Sequence, residues 1–436
     1  MHKIITHIKK YIPLTIINFY HLILACFGAI IYNFPSKKMI IIGVTGSRGK
    51  TTIANMLWYI FKESGYRPGL VTTANIKIND KEYLNRFHMT MPGRLQLQKL
   101  LKQMLVNNCN VAIIETSSEG LEKYRHKFIY YDALILASLY PEYLETHHWS
   151  YERLKKKVLY LFKNFYKYHK KIFNKKIIIL NNDIESKDQM LFANVKSDIK
   201  YTFGLNQNAD FYAQDIVIKQ NFIQFNTKNT TFKLNLNGKF NISNALASIA
   251  CAYAFNINNQ FIQNGLALIK TIPGRLEEIQ QGQNFKVFID YAHDAVSLEN
   301  VLKSMQIFKT NNSKIIVVIG AEGGGRDKFK RPAMGQIAAQ LSDFIILTNT
   351  DPYDDDPYEI MNDILKGAVT KGKILDKDIF LIEDRKKGIE KALKLAKNND
   401  IVIITGKGAE QSMIIKDKVI PWDDRIITKQ LLLKMI

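Results

Sequence analysis

The chain has 436 residues, enough for about two to four domains, and its 47% apolar content is ample for sizeable cores. Lys and Arg total 61 against 40 Asp and Glu, a net charge of +21, but the lysines are scattered among abundant Ile and Asn. That reads as compositional bias suited to phosphate-bearing substrates, not as a nucleic-acid-binding stripe. Three distant cysteines, Cys26, Cys109 and Cys251, exclude a disulfide framework and a cysteine metal site, and fit a reducing cytoplasm.

The first segment, residues 1–36, is set apart as apolar and helical. Tyr11 to Ser36 carries no formal charge, and Lys9-Lys10 and Lys37-Lys38 flank it. Its length suffices to cross ~30 Å of hydrocarbon, whereas Asn18, His21 and Asn33 favour a packed or interfacial helix. Both readings stay open, and either allows membrane association through residues 11–34 on the inner face of the plasma membrane. A cleaved signal peptide does not fit, because a nucleotide site follows at once.

Met39-Ile40-Ile41-Ile42 reads as a buried parallel strand and leads into Gly43-Val44-Thr45-Gly46-Ser47-Arg48-Gly49-Lys50-Thr51-Thr52. Ile53, Met56, Leu57, Ile60 and Phe61 then mark one face of a helix. Strand, glycine turn, lysine, hydroxyls and helix make a phosphate cradle, in which Gly46 and Gly49 admit backbone N–H groups to a polyanion. Lys50 reaches the β/γ-phosphates, Thr51 meets Mg²⁺ and Thr52 adds a second hydroxyl. The strict P-loop pattern has glycine where this chain has Val44.

Further strands are expected at Leu70–Thr73, Val111–Glu115, Ala133–Leu136 and Ile177–Leu180, with helical patterns between them. They predict an α/β fold, a central ATP-binding domain over 37–273 with a doubly wound, mostly parallel sheet. Tyr201 to Leu236 alternates as short strands, and Asn241 to Ala245 opens an alanine-rich helix. The βα alternation restarts at Val287–Asp290, Ile315–Ile319, Phe344–Leu347 and Ile401–Ile404, a Rossmann-like domain over 274–436. Glu115 ends its strand, where a carboxylate beside Thr51 completes an oxygen site for a hard cation. The hydroxyls of Thr116, Ser117 and Ser118 and the guanidinium of Arg125 suit a carboxylate- or phosphate-bearing substrate.

These motifs, in this order over residues 37–436, resemble the Mur ligase family, of the UDP-N-acetylmuramoyl-tripeptide synthetase type. The resemblance implies an ATP- and Mg²⁺-dependent amide-bond ligase of peptidoglycan synthesis. A carboxylate attacks the γ-phosphate to give an acyl phosphate, and an amine then displaces phosphate; Lys50, Glu115 and Lys157 are the catalytic residues. Thr90-Met91-Pro92, Ser117, Ser118 and Arg125 match the block that holds the muramoyl-dipeptide. Asn241 and Asn244 match adenine-side asparagines, and Arg275, Asp290 and His293 belong to a further signature on the ATP side. Counting from His147, Lys157 matches a carbamylated lysine that ligates metal, with Lys155 and Lys156 adjoining it. Asp351, Tyr353, Gly406 and Glu410 fall on the amine side.

The chain departs from the family pattern at several places. Glu142 and Tyr143 replace an Asp-His pair whose histidine ligates metal, leaving Glu142 or His147 to take that place as metal ligand; Lys123 replaces a glutamine, and Ala409 replaces a histidine. Only about 36 residues precede the first strand, where the family carries a UDP-gripping domain. Weak UDP binding, a partner supplying that domain, and a lipid-linked precursor are the open explanations. Thr350-Asp351-Pro352-Tyr353 stands where diaminopimelate-adding relatives have Asp-Asn-Pro-Arg. The missing arginine, with Asp351, Asp354, Asp355 and Asp356, points to a cationic diamino acid such as lysine. The rival readings are a folylpolyglutamate-synthase-like ligase and an inactive, membrane-associated scaffold.

Overall fold

The computed structural model describes residues 13–141, 144–147, 149–167, 173 and 175–435. Glu142 and Tyr143, the departures beside the expected metal site, lie outside them. The chain forms two compact units. One holds Met1–Val217, Ile223–Asn235 and Asn241–Ile269; the other holds Ile218–Phe222, Leu236–Phe240 and Lys270–Ile436.

The first unit is built on nine strands. In chain order they are β1 Ile40–Thr45, β2 Pro68–Val71, β3 Asn75–Ile78, β4 Lys81–Leu84, β5 Val111–Glu115, β6 Ala133–Leu136, β7 Ile177–Asn181, β8 Ile199–Gly204 and β9 Phe211–Tyr212. Their spatial order is β4-β3-β2-β5-β1-β6-β7-β8-β9. Only the β2–β3–β4 edge is antiparallel. The central strands are continuous apolar runs because helices cover both faces. The helices are α1 Leu14–Ile31, α2 Lys50–Glu63, α3 Arg94–Val106, α4 Ser118–Glu122, α5 Tyr151–Phe165, α6 Ser186–Ala193, α7 Phe240–Ala254 and α8 Asn259–Leu268. Strand β2 ends at Val71, so Thr72 and Thr73 fall just beyond the sheet instead of inside it.

Helix α2 is buried on more sides than its five-residue apolar stripe implies, since Ala54, Asn55 and Trp58 are buried too. Strands β2 and β3 cover that additional side, where Asn55 bonds Asn75 at 3.1 Å and the Trp58 indole donates to the Pro68 carbonyl at 2.9 Å, while helix α8 crosses at Ile60. A Cβ on Gly265 would stand 2.6 Å from the Ile60 Cα, so only glycine permits that close crossing. Helix α1 packs on α3 through Ala25, Gly28 and Ala29; a Cβ on Gly28 would meet the Leu95 Cα at 3.3 Å. Among the described residues no helix is long and apolar enough to cross a membrane, so the spanning reading of residues 11–34 has no support.

Strands β10 Gln214–Ile218, β11 Ile223–Thr227 and β12 Thr230–Leu234 form a separate three-stranded sheet. In the second unit a six-stranded sheet is built from β13 Glu277–Glu278, β14 Lys286–Ile289, β15 Ile315–Ile319, β16 Phe344–Leu347, β17 Ile379–Leu381 and β18 Ile401–Ile404, in the order β13-β14-β18-β15-β16-β17 and parallel apart from β13 on β14. Strands β15, β16 and β18 are interior, and β17 lies at one edge. Alternate residues feed opposite cores. Val317, Ile319, Ile401 and Ile403 enter one, and Ile316, Val318, Val402 and Ile404 enter the other. That is the period of two expected of strands covered on both faces.

One fully buried ion pair ties this unit's loops together. Arg385 bonds Asp424 through Nε (2.8 Å) and Nη2 (2.6 Å), and donates to the carbonyls of Asn349 and Thr405. Removing one partner leaves the other charged, buried and uncompensated. Arg385→Leu is therefore expected to lower unfolding free energy by ~3–5 kcal/mol, read from urea denaturation. A change below about 1 kcal/mol would contradict that role.

Candidate functional site

Strand β1 lies between β5 and β6, and its register pairs Val44 with Glu115 and Thr45 with Leu136. All three carboxyl ends therefore open on one edge of the sheet, where α/β proteins bind ligands. Gly46 follows with φ +126°, and a Cβ there would lie 2.5 Å from the Ser138 carbonyl oxygen. Gly49, with φ +84°, caps α2; a Cβ would lie 2.4 Å from Asn244 Oδ1. The loop is pinned from β6. Arg48 N–H donates to Ser138 Oγ at 2.7 Å, and Ser138 Oγ donates back to the Arg48 carbonyl at 3.0 Å.

At the start of α2, Lys50 Nζ donates to the Ser47 carbonyl at 2.6 Å. Thr51 Oγ1 donates to Glu115 Oε2 at 2.9 Å, and both residues are buried. Thr52 is buried behind them. Sequence reasoning missed Thr73. Its N–H reaches Glu115 Oε2 at 2.8 Å, and its hydroxyl reaches Glu115 Oε1 at 3.0 Å and Thr90 Oγ1 at 2.9 Å. Four oxygen-bearing side chains thus meet at a phosphate loop, a donor set suited to a hard divalent cation. On α7, Asn244 donates to Asn241 Oδ1 at 2.9 Å, which places both asparagines at the loop's Gly49 side.

The expected precursor residues also converge. Arg125, 7% exposed, donates to the Met91 carbonyl at 2.8 Å and faces Glu119 at 3.6 Å. Burial lowers its pKa, and Glu119 works against that. Ser117 caps α4 by accepting from Gly120 N–H, Ser118 follows half-buried, and a Cβ on Gly120 would clash with Met91 Sδ at 2.5 Å. The Thr90–Pro92 loop and α4 are therefore locked together.

The three lysines of α5 have separate fates. Lys155 is buried against Asp188 (2.9 Å) and Glu152 (2.6 Å), Lys156 is exposed, and Lys157 faces Glu122 at 3.2 Å. Lys157 is thus the member of the triplet turned toward α4. Glu122 also pairs with Arg153 and lies 4.0 Å from Nδ1 of the fully buried His147. Burial pushes the Glu122 pKa upward, but Arg153 and Lys157 outweigh it and hold the carboxylate below its usual range. Glu122 is the group on which Lys157 and His147 meet, and sequence reasoning did not single it out.

In the second unit two separately recognised motifs touch. Gly274, with φ +62°, packs on Gly408-Ala409 so closely that a Cβ would lie 2.2 Å from the Ala409 nitrogen. Arg275 stacks on Tyr291 at 4.5 Å, and Asp290 accepts from the N–H groups of Leu276 and Ala292, both at 2.8 Å. His293 Nδ1 stands 3.0 Å from the Tyr291 carbonyl, and Tyr291 OH donates to Glu410 at 3.2 Å. Gly406, with φ +104°, turns the chain into Lys407, a fully buried cation that sequence reasoning passed over. Lys407 bonds Asp351 and Glu410, each at 2.7 Å. Burial alone would lower its pKa, yet Glu410 and Asp351 raise it.

This arrangement corrects the charge argument for a cationic acceptor. Asp351 is 1% exposed and committed to Lys407 and to the Ile414 N–H (2.7 Å). Asp356 caps a helix through Tyr358 N–H, and Asp355 faces Arg331 at 3.9 Å. Asp351, Asp355 and Asp356 are thus compensated within the protein. Tyr353 has φ +52°, and its hydroxyl bonds Arg326, which pairs with Glu322 at 3.2 Å. Burial would raise the Glu322 pKa, but Arg326 and Lys330 hold it at about 2.

A phosphate loop with a hydroxyl–carboxylate pair on an α/β unit, followed by a second α/β unit, defines a nucleotide-binding protein of the P-loop class, and its relatives make it an ATP-dependent acid–amino-acid ligase. The pattern of the Mur ligase middle domain matches residues 44–252, and that of the Mur ligase, glutamate ligase domain matches residues 274–408. The chain belongs to the Mur ligase family. It is 34% identical over 414 residues to the UDP-N-acetylmuramoyl-L-alanyl-D-glutamate--2,6-diaminopimelate ligase 1 of Clostridium acetobutylicum, covering 93% of this chain and 81% of that one. The corresponding ligase of Halalkalibacterium halodurans is 34% identical over 403 residues, 92% of this chain and 79% of its own. A solved structure of a UDP-N-acetylmuramoyl-L-alanyl-D-glutamate--2,6-diaminopimelate ligase superposes with TM-score 0.59 at 26% identity, over 92% of this chain and 79% of that one. Mycobacterium tuberculosis folylpolyglutamate synthase, at TM-score 0.71 and 14% identity over 95% of each chain, shares the fold.

Gly46→Ala tests the phosphate loop. The added methyl group has no room against Ser138, and φ +126° disfavours it further. Nucleotide affinity, measured by calorimetry, is expected to fall about tenfold or more with the fold intact. Unchanged affinity would remove Gly46 from the nucleotide site.

Proposed function

We propose that this protein joins a diamino acid to the free carboxylate of a UDP-N-acetylmuramoyl-dipeptide-like precursor in the cytoplasm. The observation that carries the reading is Glu115 bonded to Thr51 at the mouth of the phosphate loop. Mg²⁺ bound by Thr51 and Glu115 would neutralise charge on the ATP phosphates. Lys50 faces the transferred phosphoryl group, and Asn241 and Asn244 take the adenine side. Arg125, Ser117, Ser118 and Thr90 hold the precursor carboxylate in line with the γ-phosphate. Carboxylate oxygen bonds phosphorus, the β–γ bridge breaks, ADP leaves, and the amine then displaces phosphate from the acyl carbon. Positioning and charge neutralisation supply most of the acceleration. Within the second unit, Arg275, Asp290 and His293 are candidate nucleotide-binding residues, and Gly406, Asp351, Tyr353 and Glu410 are candidate amine-binding residues, with Lys407 fixing both carboxylates.

Phosphate release is expected only when ATP, Mg²⁺, muramoyl-dipeptide and diamino acid are all present. Folate and glutamate supporting it instead would favour the folylpolyglutamate reading, and no release with any pair would favour the scaffold. Lys50→Ala should reduce turnover by about a hundredfold or more, and near-normal turnover would unseat Lys50.

Lys157 is read as the carbamylated metal ligand, with His147 beside it. Lys157→Ala should be nearly inactive and partly restored by a short-chain carboxylic acid. A fully active variant, with intact Lys157 unmodified by mass spectrometry, would retire that assignment.

The acceptor is read as diaminopimelate in preference to lysine. The compensated Asp351 weakens the attraction for an ammonium, and Arg326, shared between Glu322 and Tyr353, is the guanidinium that a distal carboxylate would take over from Glu322. With both amino acids at equal concentration, diaminopimelate should dominate the product by about tenfold, and Arg326→Ala should erase the preference. Lysine dominating the product would restore the charge argument.

A further inference from the structure

Helix α1 carries an apolar stripe that its packing on α3 does not use. Ile16, Phe19, Ile23, Phe27, Ile30 and Ile31 are spaced three and four residues apart or adjacent, and each is 49–63% exposed. The opposite face is closed, with Ala25 at 2% and Ala29 at 0% exposure against α3. The helix therefore lies flat on its unit for about 27 Å, one side in protein and one side outward. Charge along the sequence up to Glu63 is one-sided. No Asp or Glu occurs before Glu63, while Lys3, Lys9, Lys10, Lys37, Lys38, Arg48, Lys50 and Lys62 precede it. Lys37 and Lys38, just beyond the helix, are exposed.

We propose that α1 seats the protein on an anionic lipid bilayer, lying in the plane of the interface with its stripe at the headgroup–acyl boundary. The stripe supplies the apolar insertion, and the lysine pairs at either end supply attraction to anionic headgroups. Tyr20, 57% exposed beside the stripe, suits the polar side of that boundary. A second copy of the chain is a poorer occupant, because a self-complementary contact sets two acid-free, lysine-flanked segments against each other. The inference stands apart from the ligase reading, since neither the stripe nor Lys37 and Lys38 belong to the nucleotide or precursor sites.

Co-sedimentation of the full chain with phosphatidylcholine vesicles, with and without phosphatidylglycerol, tests it. Binding to the anionic vesicles is expected, about tenfold weaker on neutral vesicles and again weaker in high salt. Phe19→Glu with Ile23→Glu should cut anionic-vesicle binding at least about tenfold at unchanged melting temperature and unchanged phosphate release. Lys37→Glu with Lys38→Glu should weaken binding while leaving the stripe intact. A full chain that stays in the supernatant with anionic vesicles would overturn the proposal, as would equal binding by the Phe19/Ile23 variant. A dimer in light scattering that this variant converts to monomer, without vesicle binding by either, would assign the stripe to a second copy and overturn it equally.

Discussion

The candidate site depends on the parallel pairing of β1 with β5. Val44 opposite Glu115 brings a strand-end carboxylate beside the phosphate loop, and α2 then delivers the Thr51 hydroxyl to it. A slip of one residue would turn Glu115 to the other face of the sheet. Asp132, whose Oδ2 accepts from Ile41 N–H at 2.9 Å, fixes β1 on its β6 side, and Tyr131 reaches from that side to the end of β5. The Tyr131 ring fills the space a Cβ on Gly43 would take, and its hydroxyl meets Thr116 Oγ1 at 3.1 Å. Gly43 is thus a packing glycine under the loop, whereas Gly46 and Gly49 are backbone glycines within it.

What the sequence made legible follows from local encoding. Buried parallel strands are continuous apolar runs, so β1, β5, β6, β15, β16 and β18 fall where the runs fall. The phosphate loop shows itself because positive φ at fixed spacing demands glycine. Thr73 was hidden because its part depends on β2 lying beside β5, a pairing between segments about forty residues apart that no local pattern carries. The burial of Asn55 and Trp58 depends on β2 and β3 folding back along α2, which brings Pro68, Asn75 and Lys77 against them.

Electrostatic roles were the least legible. Asp351 looked like one of a run of surface acids, yet it is the buried counterion of Lys407, and a run of like charges in sequence need not be one in space. Glu122 looked like an ordinary helix residue and proves to be the point where Arg153, Lys157 and His147 meet. In both cases the missing information was the partner, which the fold supplies across distance.

The lysine triplet on α5 has a consequence for how this chain tolerates change. Each helical residue is turned about 100° from the last, so neighbours in sequence face a buried carboxylate, open water and Glu122 in turn. Exchanging one side chain on α5 disturbs one of these environments. Inserting or deleting a single residue between Ser150 and Lys157 would rotate everything after it, putting an unpaired lysine under the sheet and emptying the position beside Glu122. This stretch therefore bears substitution far better than a change of length, because the phase of α5 counted from its Ser150 cap decides which lysine meets Glu122.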